Sequence, residues 1–217
     1  MSKISKILII ILIILIIIIG LEYYLLTPNR GIISNNESKV LTIEDILKNS
    51  FIDKAQIKKN PARLYGKVSI SEQELKDIIY TIANKNDIYE LKKVYTFIDK
   101  NKILLVYPYK IFGFINTQLQ ISINPKVINN NLELILSDAK IGKINISDKI
   151  ISNNIKLYKD KIPFDIKGNV ITVSKNYTYP ITLNNIDINN KNIIIDLEIY
   201  ANNFINFITK YGINIIE

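Results

Sequence analysis

The sequence predicts an α+β domain carried on an N-terminal transmembrane helix, and three observations predict it. Residues 7–19 are an unbroken run of Ile and Leu. A capped apolar stripe of helical period follows over residues 71–82, and beyond residue 103 the apolar period falls to two. The 217 residues hold 51 Ile, 27 Asn and 26 Lys, so apolar periodicities arise readily by chance. An element therefore counts only where two independent signals agree.

The first element is the helix. Ile7–Ile19, extended through Gly20, Leu21 and the segment to Leu26, gives twenty residues, about 30 Å at 1.5 Å each, which matches a bilayer's hydrocarbon core. Glu22 falls near the far interface, and Tyr23 and Tyr24 suit an aromatic belt. The alternative is a cleaved signal peptide, but no small-residue site follows Gly20, and there is no Cys to acylate. Lys3 and Lys6 precede the span while Glu22 and Arg30 follow it, so the positive-inside bias puts the N-terminus in the cytoplasm. The expected layout is a cytoplasmic segment 1–6, an uncleaved signal-anchor 7–26, a stalk 27–41 and an extracytoplasmic domain 42–217. Single-pass localisation in the cell membrane follows.

In the stalk, Pro28, Gly31, Asn35 and Asn36 interrupt any period. Thr42 could cap a short helix over 43–49, and the lysine-rich stretch 50–65 has no clear assignment. Ser71-Glu72-Gln73-Glu74 then forms a capping-box pattern. Leu75, Ile78, Ile79 and Ile82 follow at i, i+3, i+4, i+7, with Lys76 and Asp77 off the stripe. A second helical stretch is expected over Tyr89–Lys100. Strand patterns come next: Leu119, Ile121 and Ile123 alternate with polar residues, as do Leu132, Leu134 and Leu136, and later Ile193, Ile195, Leu197 and Ile199 opposite Asp196 and Glu198. Asn129–Asn131 and Asn189–Asn192 lie where tight hairpins need positive φ. Strands with one apolar face joined by short turns indicate an antiparallel meander. Ser147-Asp148 opens a short helix, and Phe204, Phe207, Ile208 and Tyr211 form a last stripe closed by Gly212.

This order resembles the YpmS-type family, a domain of unknown function in Gram-positive membrane-anchored envelope proteins. Besides the anchor, the residues that carry the resemblance are Val68–Leu75, a strand leading into a helix, and Leu136-Ser137-Asp138-Ala139-Lys140-Ile141-Gly142-Lys143-Ile144-Asn145-Ile146. The latter is similar to the family's Ile/Leu-Gly-Lys-Leu tetrapeptide before a short helix. Likeness runs over roughly residues 66–200. Ser147 replaces an expected Pro, and the Phe204–Tyr211 helix is additional. The resemblance implies a tubular lipid-binding-like fold, in which a strongly curved antiparallel sheet packs on a long amphipathic helix and the groove between them accepts acyl chains.

Chemistry is mostly excluded by composition. Without His or Cys, the usual triads and the zinc, haem and iron–sulfur ligand sets are unavailable, so neither cofactor nor metal is expected. Asp and Glu are scattered, with Asp196 and Glu198 reading as solvated strand residues. The serines of Ser71–Lys76 and Ser147–Lys149 read as helix caps, and Gly142 belongs to no phosphate-cradling cluster. An enzyme is not expected. The charge of +8 is Lys, with two Arg, which disfavours nucleic acid and suits either a solubilised surface or anionic lipid and wall polymers. The apolar stripes make either a closed core or an open groove. Candidate groove residues are Leu75, Ile78, Ile79, Ile82, Leu119, Ile121, Ile123, Phe204 and Phe207. The expected partner is membrane lipid, its acyl chains in that groove; the alternative is an envelope scaffold that docks another protein and takes no ligand.

Overall fold

A computed structural model describes residues 3–28, 31, 38–41 and 55–211, with backbone alone at 3–9 and 211. The expected helix over 43–49, most of the stalk and Gly212 lie outside the described residues. Helix α1 spans Lys3–Leu26. Two antiparallel sheets follow. The smaller takes β1 (Gln56–Lys59), β2 (Ala62–Ser71), β11 (Asn192–Tyr200) and β10 (Thr182–Asn189) in that order. The larger runs β3 (Tyr95–Asp99), β4 (Lys102–Ile111), β5 (Ile115–Ile128), β6 (Asn131–Ile141), β9 (Val170–Val173) and β8 (Asp165–Lys167), with β7 (Ile144–Asn145) also on β6. The helices are α2 (Glu72–Lys85), α3 (Asp148–Lys156), α4 (Lys175–Thr178) and α5 (Phe204–Tyr211).

The α+β class and antiparallel pairing agree with the sequence reading. Strands β4 to β6 form the expected antiparallel meander, and β3 extends it at one edge; the hairpins turn where the Asn-bearing sequence predicts. Lys100-Asn101, Asn129-Asn130 and Asn190-Lys191 each put two residues at positive φ between paired strand ends, the twist a two-residue hairpin requires. Apolar residues meet across strands: Val68 faces Ile195, Ile70 faces Ile193, and Leu183 faces Leu197. These pack with Ile98 and Ile103 of the larger sheet and Phe207 of α5 to make the main core. The core therefore lies between two sheets, an arrangement that differs from one sheet curved about a long helix. The fourteen-residue α2 sits beside the edge strand β3, where the Glu72 carboxylate accepts the Ile98 amide at 2.7 Å and blunts that edge. A second cluster of Leu136, Ala139 and Ile151 joins β6 to α3.

Two readings need correction, the helix over Tyr89–Lys100 and the solvated Glu198, and the structure fills in two points the sequence left open. Tyr89–Lys100 is a short 3-10 helix, Tyr89–Lys93, followed by β3; the alternation Tyr95-Thr96-Phe97-Ile98 pairs with β4 and overrides the helical spacing. The unassigned stretch 50–65 contains β1 and the start of β2. Lys76 and Asp77 are buried although off the apolar stripe. Residues 38–41 cross α2 there, with the Lys39 amide on Asp77 Oδ1 at 3.2 Å and the Leu41 amide on Thr81 Oγ1 at 2.9 Å. Glu198 is buried, not solvated, and pairs with Arg63 at 2.9 Å.

Among the described residues no helix is long and apolar enough to cross a membrane. As a backbone helix α1 is 24 residues, about 36 Å at 1.5 Å per residue.

Candidate functional site

The candidate groove residues are not brought together on one surface. Leu75, Ile78, Ile123, Phe204 and Phe207 pack in the main core, and Phe207 is among its most buried side chains. Ile121 and Ile123 also line the smaller cluster, opposite Leu136 and Ile151. Ile79, Ile82 and Leu119 are half-buried and belong to neither. Among the described residues a partly open cleft of about 430 Å³ lies between β5 and β10. Its walls are Asn124, Pro125, Lys126 and Ile135 on the larger sheet, Ile186, Asp187 and Ile188 on the smaller, and Asn101 from the β3–β4 turn. Three Ile side chains supply an apolar lining, with one cation and one carboxylate at the walls. The volume lies within the roughly 300–1,000 Å³ of small-molecule sites. Sequence reasoning missed it because residues from the two sheets meet only through tertiary packing.

The second candidate feature is where α1 joins the sheet. A helix leaves its last four carbonyls without intrahelical donors. Here all four are satisfied. Thr27 supplies its amide (3.0 Å) and hydroxyl (2.6 Å) to the Tyr23 carbonyl. Lys143 gives its Nζ to the Tyr24 carbonyl at 3.0 Å and its amide to that of Leu25 at 2.8 Å. The buried Thr117 hydroxyl donates to the Leu26 carbonyl at 2.6 Å. Lys143 Nζ also stands 3.2 Å from the centroid of the Tyr24 ring, and its charge complements the negative end of the helix dipole.

Gly142 makes the fit possible. It opens the β6–β7 turn at φ +59, and a Cβ there would meet the Leu26 carbonyl carbon at 2.6 Å and the Leu25 oxygen at 2.7 Å. The Ile141-Gly142-Lys143-Ile144 tetrapeptide is thus a clasp on the helix end, a role no local periodicity could have disclosed. Nearby, burial pushes the Tyr109 hydroxyl above its ordinary pKa; Tyr109 pairs with Thr117 across β4 and β5.

Two polar groupings lie elsewhere. Glu198 accepts from Tyr200 at 2.8 Å while pairing with Arg63, and that hydrogen bond raises the Tyr200 hydroxyl pKa. Lys102 donates to Asp138 at 2.6 Å and holds that carboxyl below its ordinary range. Asp138 sits at φ +51 in a β-bulge, where Asp138 and Ala139 stand opposite Ile121 alone. Among the described residues no three acidic side chains gather as a metal site. The chain matches no family model, no curated protein and no solved structure.

Proposed function

We propose that the chain is a single-pass, membrane-anchored, non-catalytic domain that holds or shields membrane lipid on the extracytoplasmic side. One observation carries the anchor. Every described side chain of α1 from Ile10 to Tyr24 is exposed, while the carbonyls of Tyr24, Leu25 and Leu26 accept hydrogen bonds from Lys143 and Thr117 of the domain. Nothing else in the chain covers this apolar surface among the described residues, and an apolar helix exposed all round belongs in lipid. Lys3 and Lys6 before the helix favour the cytoplasm for the N-terminus. The inter-sheet cleft supplies a place for an acyl chain, with Lys126 able to meet a headgroup phosphate. The likeness of Val68–Leu75 and Leu136–Ile146 to the YpmS-type family belongs to the same reading and adds an envelope setting.

The anchor is tested in membranes of cells making the full chain with one introduced cysteine, Val40→Cys. The reading expects the chain to resist alkaline carbonate extraction and the introduced thiol to label with an impermeant maleimide in intact cells. Release by carbonate would refute the anchor, and labelling only after permeabilisation would reverse the orientation.

A further inference from the structure

The hairpin between β4 and β5 ends in Phe112-Gly113-Phe114, closed by the Ile111–Ile115 pair. Its two Phe side chains are 82% and 73% exposed, the first being the most exposed large apolar side chain among the described residues. Their rings lie 6.4 Å apart in a stacked pair. Phe112 also holds φ +52, a region that bulky residues rarely occupy and that Gly or Asn fills at such turns. Two rings placed in water at a strained turn gain nothing from the fold itself.

Their place relative to α1 points to an occupant. Strand β6 stops at Ile141, which pairs with Leu119, whereas the β4–β5 hairpin runs on past it to the tip. The end of α1 docks at this step, on Thr117 of β5 and on Gly142-Lys143 beyond β6. Phe114 is three residues from Thr117, about 10 Å along the strand. The tip therefore projects from the end of the sheet that receives the helix. From Tyr107 to Thr117 the hairpin carries Lys110 and no acid, and the exposed Tyr23 and Tyr24 lie on the last turns of α1. Aromatic rings with a flanking cation and no carboxylate suit the headgroup region of a bilayer.

We propose that the Phe112/Phe114 tip is a second membrane contact, inserted into the interfacial zone of the bilayer that α1 crosses. This rests on the anchor reading above. With the clasp it would fix the domain at two points, helix end and hairpin tip, and so set which face of the sandwich meets the lipid.

The chain contains no Trp, so one introduced Trp reports its own surroundings. Three full-length variants, Phe114→Trp, Ile14→Trp and Ile128→Trp, are reconstituted in phosphatidylcholine–phosphatidylglycerol vesicles. The lipids carry bromine either near the ester carbonyl or near the chain terminus. Ile128 closes the far end of β5 and is 42% exposed, so it serves as the distant control. All three sites are exposed, so the substitutions leave the core intact. The proposal expects Phe114→Trp to lose more than half its emission to shallow bromine, with Ile128→Trp unquenched and Ile14→Trp quenched by deep bromine. Unquenched Phe114→Trp beside quenched Ile14→Trp overturns the tip contact and leaves the anchor standing. Unquenched Ile14→Trp refutes the anchor, and with it the contact with a bilayer that α1 crosses, whatever the quenching of Phe114→Trp. Equal quenching at Ile128→Trp means unspecific adsorption and also overturns the proposal.

Discussion

Replacing Gly142 with alanine isolates the clasp. The new methyl would stand 2.6 Å from the Leu26 carbonyl carbon and 2.7 Å from the Leu25 oxygen, so the helix end must withdraw. Withdrawal breaks three hydrogen bonds: Lys143 N to Leu25, Lys143 Nζ to Tyr24 and Thr117 Oγ1 to Leu26. At about 1 kcal/mol net for each, docking weakens by about 3 kcal/mol. That is on the order of a hundredfold in the docked–undocked equilibrium. Alanine at positive φ adds about 1–2 kcal/mol of strain, but this weighs on docked and undocked states alike. Gly113→Ala is the matching control, because Gly113 holds φ +79 with nothing within 4 Å of its would-be Cβ. Hydrogen–deuterium exchange on the full chain in lipid nanodiscs reads the outcome at the Lys143 amide. Exchange there should rise about a hundredfold in Gly142→Ala and stay unchanged in Gly113→Ala, with core strands β2 and β11 unaffected in both. Unchanged protection at Lys143 in Gly142→Ala would refute the reasoning.

Other outcomes follow from the same coordinates. Phe207→Ala opens the main core where the ring is 2% exposed, so thermal unfolding should show a loss of about 3–5 kcal/mol, as should truncation after Tyr200 or more. Ile79→Asp, at a half-buried site outside both clusters, should lower the melt far less than Ile199→Asp, which puts a charge at a position 1% exposed. The Tyr200 pKa is raised in the folded state, so its contribution to stability is present below the ordinary tyrosine value and is lost as pH rises through the raised one. Alkaline melts of Tyr200→Phe should lack that step. Asp138 is shifted the other way: its contribution is present above the ordinary carboxyl value and is lost as pH falls through the depressed one. Lys102→Met should move the Asp138 titration, followed by carbon-detected NMR, back up towards the ordinary range. The effect on stability should be small, because both side chains are about half exposed and salt screens them.

What the sequence disclosed was local. The capping box at Ser71 is present in full, with the Ser71 amide on Glu74 Oε2 at 2.8 Å, because both partners lie within one helical turn. The Asn-rich hairpins and the period-two strands were equally readable, since turn chemistry and pleat act over a few residues. The strand at Tyr95–Asp99 was not, because Leu91, Tyr95 and Ile98 also fit a helical spacing and pairing with β4 decides the matter. Tertiary placement stayed hidden. Leu75 and Ile78 reach the core while Ile79 and Ile82 stop halfway, and the face carrying Lys76 and Asp77 is covered by residues 38–41 from outside the helix. The cleft unites residues more than fifty positions apart, and the clasp joins Leu26 to Thr117 and Lys143. No window of sequence contains either.

The most direct test of the proposed function is native mass spectrometry of the full chain released from its own membranes, beside Ile135→Asp. Ile135 lines the cleft and belongs to neither core cluster, so its replacement should spare the fold while placing a charge where an acyl chain would lie. The account predicts a phospholipid retained on the wild-type chain under conditions that strip detergent, and its loss in Ile135→Asp. A folded wild-type chain that flies bare, or equal retention by both, would contradict it.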